Sequence, residues 1–359
     1  MVLKQYGLER LFNNGFDKIF EANLGRITAQ HNKIYTIICE SGERRARVSG
    51  KFIHKTALIS NFPVVGDWVQ LRKGSDGTII ESVVPRINRI SRSAAGNKGA
   101  RQEIVNEQVI AANVDNVFIV SGLDRDFNLR RIERYLTLAY DSGSKPFIIL
   151  NKADLCDDVE FCITQIQTIA FGVPVYVVSA IEQSSLKNLS DLLKKGETSV
   201  LIGSSGVGKS TLINTLSGMN RQAVREISKR VNKGKHTTTH RELFLLPNGS
   251  ILIDNPGMRE LGLHDGSESI QDVFSEIETL SADCRFNDCN HEKEPGCAVQ
   301  DAVKKGVISH KRFESYVKLK KELLYLTMKD QKTADTIEKE KWKTIKMGQK
   351  RLNKNSNKI

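Results

Sequence analysis

The sequence predicts an α/β domain on a mostly parallel sheet, with an OB-fold β-barrel before it and a small α-helical domain after it. Three observations predict this. Short strand-like runs broken by turns fill the first ninety or so residues, apolar strand runs then alternate with amphipathic stretches to about residue 262, and beyond that the strands stop.

The barrel is read from runs at residues 26–28, 33–39, 45–48 and 67–71, with turns expected at Gly25, Ser41-Gly42, Ser49-Gly50 and 74–77. About five short strands in that length suit a small closed barrel, and an OB-fold fits. Residues 1–90 are therefore read as an OB-fold with an RNA-binding role, and 91–106, which lack periodicity, as a linker. From 107 to 262, buried-strand runs at 117–120, 146–150, 173–178 and 199–202 alternate with amphipathic stretches near 129–141, 158–170 and 185–195. That alternation means parallel strands with helices on both faces. Residues 263–328 hold a Cys/His cluster and a helical stretch at 313–328, and 329–359 form a basic tail. Between Lys341 and Ile359 that tail carries Lys341, Lys343, Lys346, Lys350, Arg351, Lys354 and Lys358 and no acidic residue. Such a tail is either simply solvated or an arm that orders on RNA.

Lys plus Arg number 54 against 42 Asp plus Glu, a net charge of +12 that favours a polyanionic partner, nucleic acid first. No apolar run reaches the roughly eighteen residues of a membrane span. Residues 1–7 lack the basic-then-apolar pattern of a secretion signal, so a cytoplasmic location with no membrane association is expected. A monomer is the simplest expectation for oligomeric state. Three of the six cysteines cluster near the C-terminus, which in a cytoplasmic chain favours metal over disulfides.

Gly203-Ser204-Ser205-Gly206-Val207-Gly208-Lys209-Ser210 matches the phosphate-loop pattern, with an apolar strand before it and a helical segment starting at Thr211 after it. The glycines let backbone N–H groups turn inward around phosphates, and the helix N-terminus adds partial positive charge. Lys209 would reach the β- and γ-phosphates, and the Ser210 hydroxyl would ligate Mg²⁺. The base is read elsewhere. Asn151-Lys152-Ala153-Asp154 follows an apolar strand, and the Asp154 carboxylate matches the N1–H and exocyclic amine of guanine, a donor pair that adenine lacks. Asn151 would brace the loops, Lys152 would lie over the ring, and a backbone N–H at Ser179-Ala180 would meet the guanine carbonyl. The ligand is thus GTP or GDP.

Asp254-Asn255-Pro256-Gly257 follows the strand at 250–253 and matches D-x-x-G: Asp254 would hold a Mg²⁺-bound water and the Gly257 N–H would sense the γ-phosphate. Between the two phosphate motifs lies His236-Thr237-Thr238-Thr239, where Thr238 is the chosen residue to complete the Mg²⁺ shell, its neighbours remaining alternatives. Base-reading motifs precede phosphate motifs, the reverse of ordinary GTPases. The predicted domain is therefore a circularly permuted P-loop GTPase, an arrangement a fold tolerates when its ends lie close together. Met258 stands after Gly257, where many GTPases place a water-orienting glutamine. Either intrinsic hydrolysis is slow and a partner completes the site, or another residue serves, His236 being the nearest candidate; Lys209, Thr238 and His236 are the expected catalytic groups. In this order a loop after Gly257, tightened by γ-phosphate, would pull directly on the C-terminal domain.

Cys284-x4-Cys289-x-His291-x5-Cys297 supplies three thiolates and an imidazole, the donor set of one closed tetrahedral structural Zn²⁺, so the C-terminal helical domain is read as zinc-binding.

Together these motifs resemble the ribosome small-subunit-dependent GTPase A family over nearly the whole chain. The resemblance includes Val65-Gly66-Asp67-Trp68-Val69, the run at 108–115, His236-Thr237-Thr238-Thr239, Asp254-x-Pro256-Gly257, Cys284-Arg285-Phe286 and Glu294-Pro295-Gly296-Cys297. It implies an OB-fold, a permuted GTPase domain and a zinc module. It also implies the small ribosomal subunit and its rRNA as the partner that stimulates GTP hydrolysis during late maturation. An apolar residue replaces the glutamine in that family too, as Met258 does here, whereas Asn255 departs from its usual Thr or Ser. A nucleotide-gated RNA-binding module is the competing reading, and an ATPase or small-molecule kinase is disfavoured by Asp154.

Overall fold

The computed structural model describes residues 2–15, 23–31, 33–56, 58–74, 77–93, 107–179, 181–217, 241–254 and 267–328. Strands β1 (Leu24–His31), β2 (Ile34–Cys39), β3 (Gly42–Val48), β4 (Trp68–Gly74) and β5 (Gly77–Val83) pair in the order β1-β2-β3-β5-β4, and β4 returns to β1. The five strands close into the expected OB-type barrel around buried Ile27, Ile37, Ala46, Val69 and Ile80. Gly25, expected in a turn, lies inside β1 instead. A Cβ there would sit 2.8 Å from Leu71 Cδ1, so the glycine serves a close approach between strands. Two short helices that the sequence did not announce, α1 (Val2–Gln5) and α2 (Leu8–Asn13), cover one side of the barrel. They pack Leu3, Leu8 and Leu11 against Leu24, Trp68 and Val84, and a third short helix, α3 (Gly50–Lys55), follows β3.

Strands β6 (Arg89–Ser93) and β7 (Glu107–Ala112) pair antiparallel, so residues 91–93, expected in the linker, end a strand. The alternating element order then follows: β8 (Asn116–Gly122), α4 (Leu129–Asp141), β9 (Lys145–Asn151), α5 (Val159–Gln167), β10 (Val175–Val177) and α6 (Gln183–Leu192). It continues with β11 (Thr198–Ile202), α7 (Lys209–Leu216), β12 (Arg241–Leu245) and β13 (Ile251–Asp254). Their sheet order is β10-β9-β8-β11-β13-β12, parallel except for β12. Every residue of β8 is buried, as a central parallel strand covered on both faces requires. From β8 the chain steps through β9 and β10 to one side and returns through β11 to the other. The switch point between β8 and β11 is where such sheets bind ligands, at the carboxyl ends of the strands.

The barrel and this sheet are continuous, because β1 also pairs with β12 through Ala29–Glu242 and Gln30–Arg241. Buried Arg26 secures the junction. It donates to the carbonyls of Tyr6 at 2.5 Å and Gly66 at 3.2 Å and to Thr198 Oγ1 at 2.9 Å.

The C-terminal region is helical: α8 (Ser267–Val273), α9 (Ser275–Ser281), α10 (Ala298–Lys304) and α11 (residues 310–328). It is held against α4 by three ion pairs, Arg130–Glu314 at 2.5 Å, Arg134–Glu322 at 2.5 Å and Arg312–Glu133 at 2.6 Å. Of these the Arg312–Glu133 pair is buried, and the Arg312 guanidinium also lies 4.1 Å from the Phe274 ring centroid. Among the described residues no helix is long and apolar enough to cross a membrane.

Candidate nucleotide site and metal centre

The loop from β11 to α7 needs glycine at two points where the backbone is left-handed and crowded. Gly203 has φ +151°, and a Cβ on it would meet the Val120 carbonyl oxygen at 2.3 Å. At Gly208 φ is +95°, and a Cβ would meet Asn151 Nδ2 at 2.2 Å. Gly208→Ala is therefore expected to weaken GTP binding about tenfold or more by displacing Asn151. Isothermal titration checks this, and wild-type affinity would refute the packing argument.

Lys209 opens α7 and turns its ammonium back over the loop, donating to the carbonyls of Gly203 at 2.7 Å and Ser204 at 2.5 Å. Burial pulls its pKa down to about 8, against the negative fields of Asp254 at the end of β13 and Asp126 after β8. Ser205, Gly206, Ser210 and Thr211 are exposed around this loop, and Val207 is buried beneath it. Phosphates bind the ammonium rather than the amine, so binding takes up a proton once the pH passes the free-state value. GTP affinity is accordingly expected to fall as pH rises above about 8, approaching tenfold per unit. Titrations from about pH 7 to about pH 9 test this, and a flat profile would contradict it.

The residues expected to read the base reach the same crevice from β9 and β10. Asn151, buried at the end of β9, donates from Nδ2 to the Val207 carbonyl at 2.7 Å and so ties this loop to the phosphate loop. Lys152 adopts φ 65°, which turns the chain sharply, and its Nζ lies 2.6 Å from Asp124 Oδ2. That ion pair holds the Asp124 carboxyl below its usual range. Asp154 sits exposed at the lip and accepts from Ser179 Oγ at 2.6 Å, while the Ser179 N–H donates to Ser185 Oγ at 3.0 Å. The structure thus brings together Asn151, Lys152, Asp154, Ser179, the 203–211 run and Asp254. Ala180, His236, Thr238 and Gly257 lie outside the described residues, as do Thr237, Thr239, Asn255 and Met258. Sequence reasoning missed Asp124 and Asp126, which stand just beyond β8 at the switch point. Their position after a wholly buried strand was the available signal.

In the C-terminal region Cys284, Cys289, His291 and Cys297 converge, with their ligand atoms all within 4.8 Å of one another. Cys284 Sγ lies 3.6 Å from His291 Nδ1 and 3.8 Å from Cys297 Sγ, and His291 Nδ1 lies 3.4 Å from Cys297 Sγ. Tetrahedral donors at zinc–ligand lengths of about 2.0–2.3 Å stand roughly 3.5–3.8 Å apart, so the donor set and these spacings fit zinc. His291 has φ 60°, and its Nε2 lies 3.1 Å from Ser281 Oγ, which orients the ring. The side-chain amide of Gln300 donates to the His291 carbonyl at 2.5 Å, fixing the backbone from the other side. Chelator treatment is expected to raise hydrogen exchange in residues 267–328 while leaving the parallel sheet protected. Exchange that rises across the whole chain would count against a local site.

A family model described as RsgA GTPase matches residues 83–264. One described as ABC transporter matches 186–353, a span that includes the phosphate loop but neither Asn151 nor Asp154. The chain is 43% identical over 347 residues to the Small ribosomal subunit biogenesis GTPase RsgA 1 of Listeria innocua, covering 96% of each. It is 42% identical over 350 residues to the Small ribosomal subunit biogenesis GTPase RsgA of Syntrophotalea carbinolica, again covering 96% of each. Among solved structures it resembles YjeQ from Thermotoga maritima, with 27% identity and a TM-score of 0.59 over 84% of this chain and 98% of that one. YloQ, a circularly permuted GTPase, matches at 27% identity and a TM-score of 0.56 over 84% of this chain and 94% of that one.

Proposed function

This chain belongs to the RsgA GTPase family, and on that premise we propose that it hydrolyses GTP to GDP and phosphate while bound to the small ribosomal subunit, late in that subunit's maturation. The observation that carries the reading is the tie between base and phosphate recognition. Asn151 holds the Val207 carbonyl while Ser179 holds Asp154, so guanine and phosphate loops share one crevice.

In this reading Asp154 accepts from the guanine N1–H and amine, and a backbone N–H at Ser179-Ala180 meets the carbonyl. The backbone N–H groups from Gly203 to Thr211 cradle the phosphates, and Lys209 neutralises charge that builds on the γ-phosphate during water attack. When bound, Mg²⁺ would neutralise phosphate charge; Ser210 and Thr238 would hold it, and Asp254 would hold one of its waters. Gly257 senses the γ-phosphate, and His236 orients the water in place of the glutamine that Met258 displaces. A single structural zinc held by Cys284, Cys289, His291 and Cys297 keeps the C-terminal module folded. The barrel supports an rRNA-facing role, because Arg44, Arg45 and Arg47 are exposed along β3 and Lys51 follows them. A cytoplasmic monomer is part of the same proposal.

Co-sedimentation with purified small subunits tests the partner. More protein should pellet with a non-hydrolysable GTP analogue than with GDP, and pelleting should weaken steeply with salt. Equal pelleting in both nucleotides would contradict a GTP-dependent partner.

A further inference from the structure

Asp124 stands in the turn after β8, outside every nucleotide motif, and both of its carboxylate oxygens are engaged. Oδ1 accepts from the Asp126 N–H at 3.0 Å, and Lys152 Nζ donates to Oδ2 at 2.6 Å. Gly122, the last residue of β8, leaves room for the pair. A Cβ there would stand 2.7 Å from Asp124 Oδ1 and 3.7 Å from Lys152 Cδ.

The backbone around Lys152 is fixed as well. The Leu123 N–H donates to the Asn151 carbonyl at 2.8 Å, and the Ala153 N–H donates to the Val178 carbonyl at 3.3 Å. Among the described residues only Asn113, Lys152 and His291 have positive φ without being glycine. That conformation is costly for a lysine and persists where the surroundings impose it, as they do in ligand clamps. Stability does not account for the ion pair. The two side chains are 27% and 28% exposed, and solvent-accessible pairs contribute little to folding.

A lysine stem left free samples many rotamers, and a ligand that has to order it binds more weakly. Here one end of the stem is set by φ 65° at its own backbone and the other by Asp124. We propose that Asp124 is a positioning residue for guanine-nucleotide binding: it anchors the Lys152 ammonium so that the aliphatic stem is ordered in advance to cover the face of the base. This role rests on the nucleotide site proposed above, with Lys152 over the ring. The base is common to GTP and GDP and takes no part in bond breaking. The anchor therefore acts on the affinity of both nucleotides alike, and on KM rather than kcat.

The test is a double-mutant cycle on the full chain. It is read by isothermal titration with GDP and with a non-hydrolysable GTP analogue, and by steady-state GTP hydrolysis. Asp124→Asn keeps an acceptor for the Asp126 N–H but loses the charge that holds the ammonium. It should weaken both nucleotides by the same factor, about threefold to tenfold. Lys152→Met keeps an unbranched apolar stem with no ammonium to anchor, so Asp124→Asn should cost nothing further in that background. Loss in the first background and none in the second supports the proposal. Equal losses in both overturn it, because a merely structural role of Asp124 would not depend on Lys152. Unchanged affinity in Asp124→Asn, or a loss carried by kcat, overturns it too. Lys152→Ala tests the reading beneath. Unchanged affinity there would remove Lys152 from the base, and the proposal with it, whereas weakened affinity beside a harmless Asp124→Asn would remove the anchor alone. If Asp124→Asn does not fold, Asp124→Ser takes its place in the cycle, with a hydroxyl that still accepts from the Asp126 N–H.

Discussion

Lys209→Ala is expected to lower GTP kcat/KM by about a thousandfold or more, to background in a phosphate-release assay. The side chain is the only lysine or arginine within the 203–211 loop and helix start, and it already lies over the loop carbonyls at 2.5 and 2.7 Å. Removing it would strip the charge proposed to offset the γ-phosphate as the bond to it breaks. It should leave the sheet intact, because a buried ammonium costs folding energy that a methyl group does not. An unchanged melting temperature with lost turnover is the expected pair of results. Turnover within tenfold of wild type would contradict the assignment of this loop.

The second large effect concerns the base. Asp154→Asn should weaken GTP binding by about a hundredfold or more, because one acceptor oxygen becomes a donor aimed at the guanine amine. The loop itself should survive, since an asparagine oxygen still accepts from Ser179 Oγ, a bond of 2.6 Å in the wild type. Xanthine nucleotides carry a carbonyl where guanine has the amine, so their affinity should rise in the same variant. Competition binding of GTP and XTP reads both changes at once. Unchanged GTP affinity would show that Asp154 does not read the base.

The parts that sequence reasoning reached are those where local chemistry dictates position. The phosphate loop declared itself because only glycine tolerates φ +151° against the Val120 carbonyl and φ +95° against Asn151. Strands such as β8 were legible because a parallel strand buried on both faces must be apolar along its whole length. The Cys/His cluster showed in spacing because all four candidate donors fall in one short segment. What stayed hidden depends on partners far away in the chain. Gly25 looks like a turn until Leu71 arrives beside it in the folded barrel. Helices α1 and α2 are only four and six residues long, too short for a helical period to be read. Asp126 meets Ser204 across 78 residues and Lys152 meets Asp124 across 28, and no local pattern announces such pairs. Residues 91–93 read as linker because the partner of their strand lies beyond the intervening segment, in β7.

The most direct measurement is steady-state GTP hydrolysis by the purified protein, alone and with isolated small or large ribosomal subunits. Slow turnover alone, unchanged by large subunits and accelerated at least about tenfold by small ones, is the expected result. Acceleration by both subunits, or by neither, would contradict the small ribosomal subunit as the partner that completes this site.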